Sequence, residues 1–164
     1  MTKSATVFDV AVIFLPGVLI LAWIFAVIGV EAPGAASGAD FADNAMRWMM
    51  TLPAGGMFVV SAFMHTVLAK QTAKNIGWET NGFQYEIGFV SLGIGIAGIW
   101  AAYLDQSAWL VLSIVITAFL LGAAGNHLKE MFVDKNFSFG NTIVLLYDFG
   151  LPISLWALYL SITG

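Results

Sequence analysis

The chain has 164 residues, of which 60% are hydrophobic and only 10% are charged, and its mean hydropathy is +0.89. A soluble globular domain carries about 25% charged residues because water must solvate its surface, so this composition excludes an ordinary soluble protein. Six basic and ten acidic side chains give a net charge of -4, which provides no basic surface for nucleic acid. Because the chain has no cysteine, disulfides, thiolate metal sites and iron-sulfur clusters are excluded as well.

Five apolar segments are long enough to form transmembrane helices. A bilayer core about 30 Å thick is crossed by roughly 20 apolar residues of helix, and hydrocarbon tolerates only backbone that is hydrogen-bonded internally. The predicted spans are residues 10–30, 48–69, 87–104, 108–128 and 142–163. We therefore expect one all-α domain over residues 1–164, a five-helix integral membrane bundle whose main surroundings are the lipid bilayer.

Basic residues in the loops predict the orientation of this bundle. With a cytoplasmic amino terminus, five basic residues fall on the cytoplasmic side: Lys3, Lys70, Lys74, Lys129 and Lys135. Only Arg47 then lies outside, and this distribution agrees with the positive-inside rule. The prediction is a protein of the prokaryotic inner (plasma) membrane with its amino terminus in the cytoplasm and its carboxyl terminus outside.

The segment between the first two spans has the composition of a solvated linker. Residues 31–44 are rich in Gly, Ala and Asp. Asp43 and Arg47 are four residues apart at the start of the second helix, a spacing that places oppositely charged side chains next to each other on a helix. We expect them to form an ion pair.

Ionisable side chains inside the predicted spans are the main functional candidates, because lipid makes their burial costly. Four residues meet this description: His65, Glu86, His127 and Asp148. His65 and Glu86 both lie roughly 7 Å inside the same ends of neighbouring helices at about 1.5 Å per residue, so we expect them to be level with each other. The predicted polar constellation also includes three flanking residues: Tyr85, Asn141 and Tyr147.

The two helical hairpins share one spacing between histidine and carboxylate. His65 precedes Glu86 by 21 residues, and His127 precedes Asp148 by 21 residues. A shift of 62 residues also aligns Tyr85-Glu86 with Tyr147-Asp148. Our hypothesis is that helices two and three repeat as helices four and five, related by an axis along the membrane normal.

The polar constellation could have several roles, and the sequence does not distinguish between them. Each histidine can simply hydrogen-bond the carboxylate of the adjacent helix and hold its hairpin together in lipid. Two imidazoles and two carboxylates are also suitable ligands for a divalent metal such as Zn, Mn or non-haem Fe, and the two histidines can serve as axial ligands of a haem. A chain of His, Glu and Asp can instead relay protons.

Small residues recur along one face of the predicted third helix. They are Gly88, Ser91, Gly95 and Gly98. Such a stripe lets a neighbouring backbone approach closely in a membrane. We expect it to be a packing face, with helix partners in this chain, in other membrane subunits or in a second copy.

Five short motifs lie between residues 58 and 156: Ile76-Gly77-Trp78, FQYEIGF at 83–89, Leu92-Gly93, LGAAGNH at 121–127 and Tyr147-Asp148. Together they resemble a pattern found in an uncharacterised family of small prokaryotic polytopic membrane proteins of unknown function. Asn81-Gly82 stands where that pattern has Ser-Pro. The resemblance implies a polytopic membrane fold and assigns no activity.

The leading functional hypothesis is non-catalytic: a small integral subunit or scaffold of a membrane complex, with the His-carboxylate pairs as structural contacts. The alternatives are a proton- or metal-coupled small-solute transporter and a metal- or haem-binding redox protein, and no catalytic residue is predicted. Direct contacts of His65 with Glu86 and of His127 with Asp148 in a dry core would favour the leading hypothesis. A cavity between helices two to five would favour the alternatives.

Overall fold

A computed structural model describes the backbone of residues 7–164 and the side chains of residues 13–164. Lys3, on which the predicted orientation partly rests, lies outside the described residues. Residues 7–164 form helices and contain no strand, which confirms the all-α prediction for this range. The elements are α1 (Val7–Val27), α2 (Phe41–Met49), a π-helical segment (Met50–Met57), α3 (Phe58–Thr66), α4 (Ala69–Ile76), α5 (Gly82–Ala101), α6 (Gln106–Phe132), α7 (Phe139–Ile143) and α8 (Leu145–Thr163).

Three helices are long and apolar enough to cross a membrane: Gly82–Ala101, Gln106–Phe132 and Phe139–Thr163. The helix Phe41–Thr66 and α4 count as a fourth candidate span when taken together, although a bend of 98° separates them. Within α1, the stretch with described side chains, Ile13–Val27, is shorter than a full span. The described chain is therefore all-helical with three or four candidate membrane spans by length and composition, where sequence alone predicted five.

The outer surface of the helices is apolar. On α5 the side chains of Phe83, Phe89 and Trp100 are exposed by 72%, 69% and 68%, and on α8 Ile153 and Leu160 are similarly exposed. Soluble proteins rarely expose apolar patches of this extent. Contact with acyl chains explains the pattern, because the hydrocarbon core of a bilayer is itself apolar.

The helices pack as two hairpins with α1 against both of them. The π-helical segment and α3 pack along α5, and α6 packs along α8. α1 contacts α2, the π-helical segment and α8. The two hairpins meet directly where α2 packs on α8, whereas a cavity lies between them at the level of α3.

The small-residue stripe of α5 faces the π-helical segment and α3. A Cβ atom added to Gly98 would lie 2.8 Å from the carbonyl carbon of Ala54, and one added to Gly95 would lie 2.8 Å from the backbone nitrogen of Val59. Real Cβ atoms do not approach backbone this closely, so these positions require glycine. The stripe therefore packs within the chain, against the π-helical segment and α3, which is one of the arrangements expected from sequence; helix partners in another subunit or copy stay a prediction.

Arg47 joins three elements at one end of the bundle. Its Nε donates to Asp43 Oδ2 over 2.8 Å, which confirms the predicted ion pair. Its Nη1 donates to the carbonyl of Ala102 over 2.6 Å, and its guanidinium carbon lies 4.9 Å from the ring centroid of Trp109. The last turn of α2, which contains Arg47, is thereby fixed to the end of α5 and the start of α6.

At the other end, α4 turns across the bundle and positions the following loop. Its Ala69, Thr72, Ala73 and Ile76 are buried, whereas Lys70 and Lys74 are exposed. α4 ends at Gly77, whose φ of 77° is in the left-handed region that favours glycine. Asn136 donates from Nδ2 to the carbonyl of Ile76 over 2.7 Å. This contact ties the α4 terminus to the loop after α6 and places Trp78 between the two hairpins.

The stripe of α5 yields a direct test of the packing. Gly98→Ala should lower the free energy of unfolding by about 1–3 kcal/mol, because the new methyl group forces the backbones of α5 and the π-helical segment apart. Thermal unfolding of the purified protein in detergent measures the change.

Gly93→Ala on the same helix is the matched control, since a Cβ there meets nothing within 4 Å. It should unfold at the wild-type temperature or slightly above it, because alanine favours helix over glycine. Equal losses in the two variants would contradict the packing seen at Gly98.

Candidate functional site

A cavity of about 340 Å³ lies between the two hairpins. α3, α6 and α8 form most of its walls. Single residues of other parts of the chain also contribute: Leu15, Met57, Ile76, Trp78 and Ile87. The lining is mainly apolar, and its polar side chains are Ser61, His65, Trp78, Asn126, His127, Tyr147 and Asp148. The cavity therefore combines apolar walls with a small set of groups able to form hydrogen bonds.

Four residues of the predicted polar constellation line this cavity: His65, His127, Tyr147 and Asp148. Asn141 is fully buried and lies behind His127, to which it is hydrogen-bonded. Tyr85 and Glu86 do not line the cavity and are exposed on the outer side of α5. The structure thus brings five of the seven predicted residues together and leaves the other two outside.

Glu86 points outward because of the phase of its helix. Gly88 packs against α3, where a Cβ atom would lie 3.4 Å from the carbonyl carbon of His65. At about 100° per residue, a side chain two positions earlier lies roughly 200° around the helix, so Glu86 faces away from α3. The predicted contact between His65 and Glu86 is therefore wrong, although the two residues are nearly level.

The buried amide of Asn141 holds His127 in one orientation. Asn141 Nδ2 donates to the carbonyls of His127 over 3.2 Å and of Asn136 over 3.0 Å. Its Oδ1 must then accept, and it lies 2.8 Å from His127 Nδ1. This network assigns the proton of a neutral His127 to Nδ1, so Nε2 is left as the atom with a free lone pair.

The predicted contact between His127 and Asp148 is also absent. Among the residues with described side chains, His127 bonds Asn141 and Asp148 has no hydrogen-bonded partner for Oδ2. The positions matched by the proposed repeat differ as well: Asp148 is buried, whereas Glu86 is exposed. The two hairpins share the spacing of 21 residues, but their carboxylates have different surroundings. The proposed repeat therefore does not hold at these two positions.

Buried polar atoms without partners concentrate at the cavity. Five such side-chain atoms occur among the described residues, and three of them belong to the cavity-lining His65, Trp78 and Asp148. The three atoms are His65 Nδ1, Trp78 Nε1 and Asp148 Oδ2. Buried polar groups in folded proteins almost always have a partner. A molecule inside the cavity would supply the missing ones.

The donors do not form the predicted metal site. In the part of the chain that the structure describes, no group of three or more His, Cys, Asp or Glu side chains is placed to hold a metal ion. Glu86 is missing from the site because it faces outward, and Asn141 occupies one nitrogen of His127. Haem binding between the two histidines stays a prediction.

Trp78 is the member of the site that sequence reasoning missed. Its ring stacks on the imidazole of His127, with centroids 5.2 Å apart and planes inclined by 29°. The sequence does contain a local indication of Trp78. Gly77 ends an amphipathic helix, and Trp78 follows it within one of the motifs that resemble the uncharacterised family. Its partner lies 49 positions later in the chain, and nothing in the local pattern specifies that contact.

The model of a family of unknown function, DUF6790, matches residues 12–162. The chain belongs to DUF6790. The absence of an assigned function agrees with the resemblance noted above, and the match extends beyond residues 58–156 at both ends. No curated protein and no solved structure matches the chain. Every cavity-lining residue, from Leu15 to Asp148, falls within the DUF6790 match, so the cavity is built from the region that defines the family.

The hydrogen bonds of Asn141 predict that removing its amide will strongly destabilise the fold. Asn141→Leu should lower the free energy of unfolding by about 1–3 kcal/mol for each polar group left buried without a partner, and it removes the partners of His127 Nδ1 and of two carbonyls. Thermal unfolding in detergent checks this.

Thr142→Val provides the neighbouring control. Thr142 is exposed, and its hydroxyl bonds only the carbonyl of Ser138 one turn earlier in the helix. We expect a change within about 0.5 kcal/mol, as for most surface substitutions. If Asn141→Leu is as stable as Thr142→Val, the network around His127 is not formed in the protein.

Proposed function

We propose that this protein is a small-solute carrier of the prokaryotic inner membrane that binds its solute in the cavity between the two hairpins. The observation that carries the proposal is the concentration around one cavity of three buried polar atoms, from His65, Trp78 and Asp148, that have no hydrogen-bond partner among residues 13–164. Lipid cannot satisfy such atoms, and leaving each one unbonded costs free energy. A bound solute with complementary groups removes that cost.

The size and lining of the cavity suit a small molecule. Sites for small molecules usually measure about 300–1,000 Å³ and combine apolar walls with a few placed polar groups. The cavity of about 340 Å³ lies at the small end of this range. It suits a compact solute better than a long lipid chain or a large macrocycle.

The helix beside the cavity is interrupted in a way that supports movement of a solute. Between Phe41 and Thr66 the helix changes from α to π over Met50–Met57 and returns to α at Phe58, which lines the cavity. The π-helical segment contains Pro53, whose carbonyl accepts the hydroxyl of Tyr147 over 2.6 Å. Secondary transporters place helices interrupted by Gly and Pro beside their substrate sites.

The proposed carrier crosses the membrane five times. In this proposal α1, whose 21 residues are about the number that a bilayer requires, is the first span. It joins the three helices that are long and apolar enough to cross and the bent pair of Phe41–Thr66 with α4, taken as one span. With the amino terminus in the cytoplasm, Lys70 and Lys74 on α4 lie at the cytoplasmic surface, and Gly164 lies outside. An amphipathic helix such as α4 is suited to the membrane interface.

The subunit or scaffold role loses the two features that motivated it. The histidine-carboxylate contacts are replaced by the bond between His127 and Asn141, and the small-residue stripe is covered within the chain. Of the coupling ions for transport, protons suit the imidazoles of His65 and His127. Three metal ligands do not converge among the described residues, so metal coupling is less suitable.

Access to the cavity is testable because the chain has no cysteine of its own. Ser61→Cys, at the cavity wall, should react with a small water-soluble methanethiosulfonate on the order of tenfold faster than a buried cysteine elsewhere, because thiolate reactivity requires access to water. The labelled fraction is measured by mass spectrometry of protein in liposomes.

Ser113→Cys is the matched control. Ser113 is a fully buried serine on α6 that does not line the cavity. We expect it to stay unlabelled while the protein is folded. Equal, slow labelling of both variants would show that the cavity is closed to solutes and would overturn the carrier proposal.

Single cysteines also test the orientation. Ser37→Cys, in the exposed loop between α1 and α2, should react with a membrane-impermeant reagent in intact cells, whereas Lys74→Cys should react only after permeabilisation. Both positions are exposed, so both should react in permeabilised cells. The opposite labelling pattern would reverse the proposed orientation.

A further inference from the structure

We infer that the cavity binds a small organic ammonium ion, with its charged nitrogen against Asp148 and its apolar part against the aromatic walls. The inference rests on the proposed function, because it names the class of solute for the same cavity. Four properties of the cavity point to this class of solute: its charge, its hydrogen-bonding groups, its aromatic walls and its size of about 340 Å³.

Charge gives the first indication. Among the residues with described side chains, 13–164, Asp148 is the only formally charged one that lines the cavity, and no Lys or Arg of this range does so. It is 5% exposed, and no ion pair joins it to another described residue. A carboxylate buried in a membrane segment is stabilised by a counter-charge, and a cationic solute provides one. The same carboxylate would repel an anionic solute.

Hydrogen-bonding capacity points to a solute that donates. Asp148 offers carboxylate oxygens, and His127 offers the Nε2 lone pair that its bond to Asn141 leaves free. His65 Nδ1 is a further atom without a partner among the residues with described side chains, and it can accept in the tautomer protonated on Nε2. An ammonium group carries N-H donors for these acceptors, whereas a solute with only carbonyl oxygens has none. Trp78 Nε1 can only donate, so a solute that also satisfies Trp78 carries an acceptor, such as a hydroxyl oxygen, beside its ammonium group.

The walls suit the organic part of such a cation. The rings of Phe58, Phe119 and Tyr147 lie together at the cavity, with Phe58 centroids 5.6 Å from Phe119 and 6.4 Å from Tyr147. Aromatic faces attract cations and bury apolar groups. A bare metal ion would not use these walls, and no set of three His or carboxylate ligands is placed for one in the described part of the chain.

Three probes of similar shape separate the possible classes: phenethylammonium, the uncharged 2-phenylethanol and the anionic phenylacetate. Isothermal titration calorimetry on the protein in nanodiscs measures their binding, with butylammonium and tetraethylammonium as cations of different shape. We expect phenethylammonium or butylammonium, which both carry N-H donors, to bind about tenfold tighter than 2-phenylethanol, and phenylacetate to show no binding, because only a cation gains from the unpaired carboxylate.

Asp148→Asn should weaken binding of the ammonium probe about tenfold and leave 2-phenylethanol unchanged. Glu86→Gln is the control, because it neutralises an exposed carboxylate that does not line the cavity, and it should bind like wild type. Equal losses in the two variants would show that the cations bind at the membrane surface and would overturn the inference.

A second measurement does not depend on the folding of Asp148→Asn. Saturating ammonium probe should slow the labelling of Ser61→Cys by uncharged methyl methanethiosulfonate, whereas phenylacetate should not. If Ser61→Cys is accessible but no ammonium probe binds or protects it, the solute class is wrong and the cavity proposal stands. If Ser61→Cys is inaccessible, the proposed function fails together with this inference.

Discussion

Polar atoms inside the apolar bundle can find partners only within the protein or in something bound to it, because lipid supplies none. The structure meets this constraint completely at Asn141, whose amide satisfies His127 and two backbone carbonyls at once. It leaves the constraint unmet at the cavity, where Asp148 and Trp78 face a space with no partner among the described residues. The contrast between these neighbouring regions separates the supporting network from the proposed solute site.

The site depends on contacts made at both ends of the bundle. At the α2 end, close packing of α2 on α8 and the bonds of Arg47 hold the hairpins together. At the α4 end, the bend of 98° carries α4 across the helices, and Asn136 joins its terminus to the loop after α6. The hairpins are thus joined at their ends while space remains at the level of α3. A solute site inside a membrane protein needs such a frame, because tight packing along the whole interface would leave no cavity.

The π-helical segment links the packing of the bundle to the cavity. One side of it lies on the glycines of α5, and its Pro53 carbonyl accepts the hydroxyl of Tyr147, a cavity-lining residue of α8. A change in the winding of this segment would therefore act on both hairpins. The residues that make these contacts all fall within residues 12–162, the range matched by DUF6790, so this frame and the cavity belong to the region by which the family is recognised.

Composition and local spacing determined the helical class, the apolar surface for lipid, most helix positions and the ion pair of Asp43 with Arg47, because each depends on residues close together in the chain. They also selected His65, His127, Asn141, Tyr147 and Asp148 as polar residues within apolar helices. The phase of α5 already separated Glu86 from the face of Gly88, yet the shared spacing of 21 residues paired it with His65. Only the tertiary structure decided that Asn141, and not Asp148, bonds His127, and that Trp78 reaches His127 from another element. The partners of His127 depend on which helix faces meet and on where the bent helix ends. Contacts between residues far apart in the chain determine both features, so local sequence patterns do not predict them.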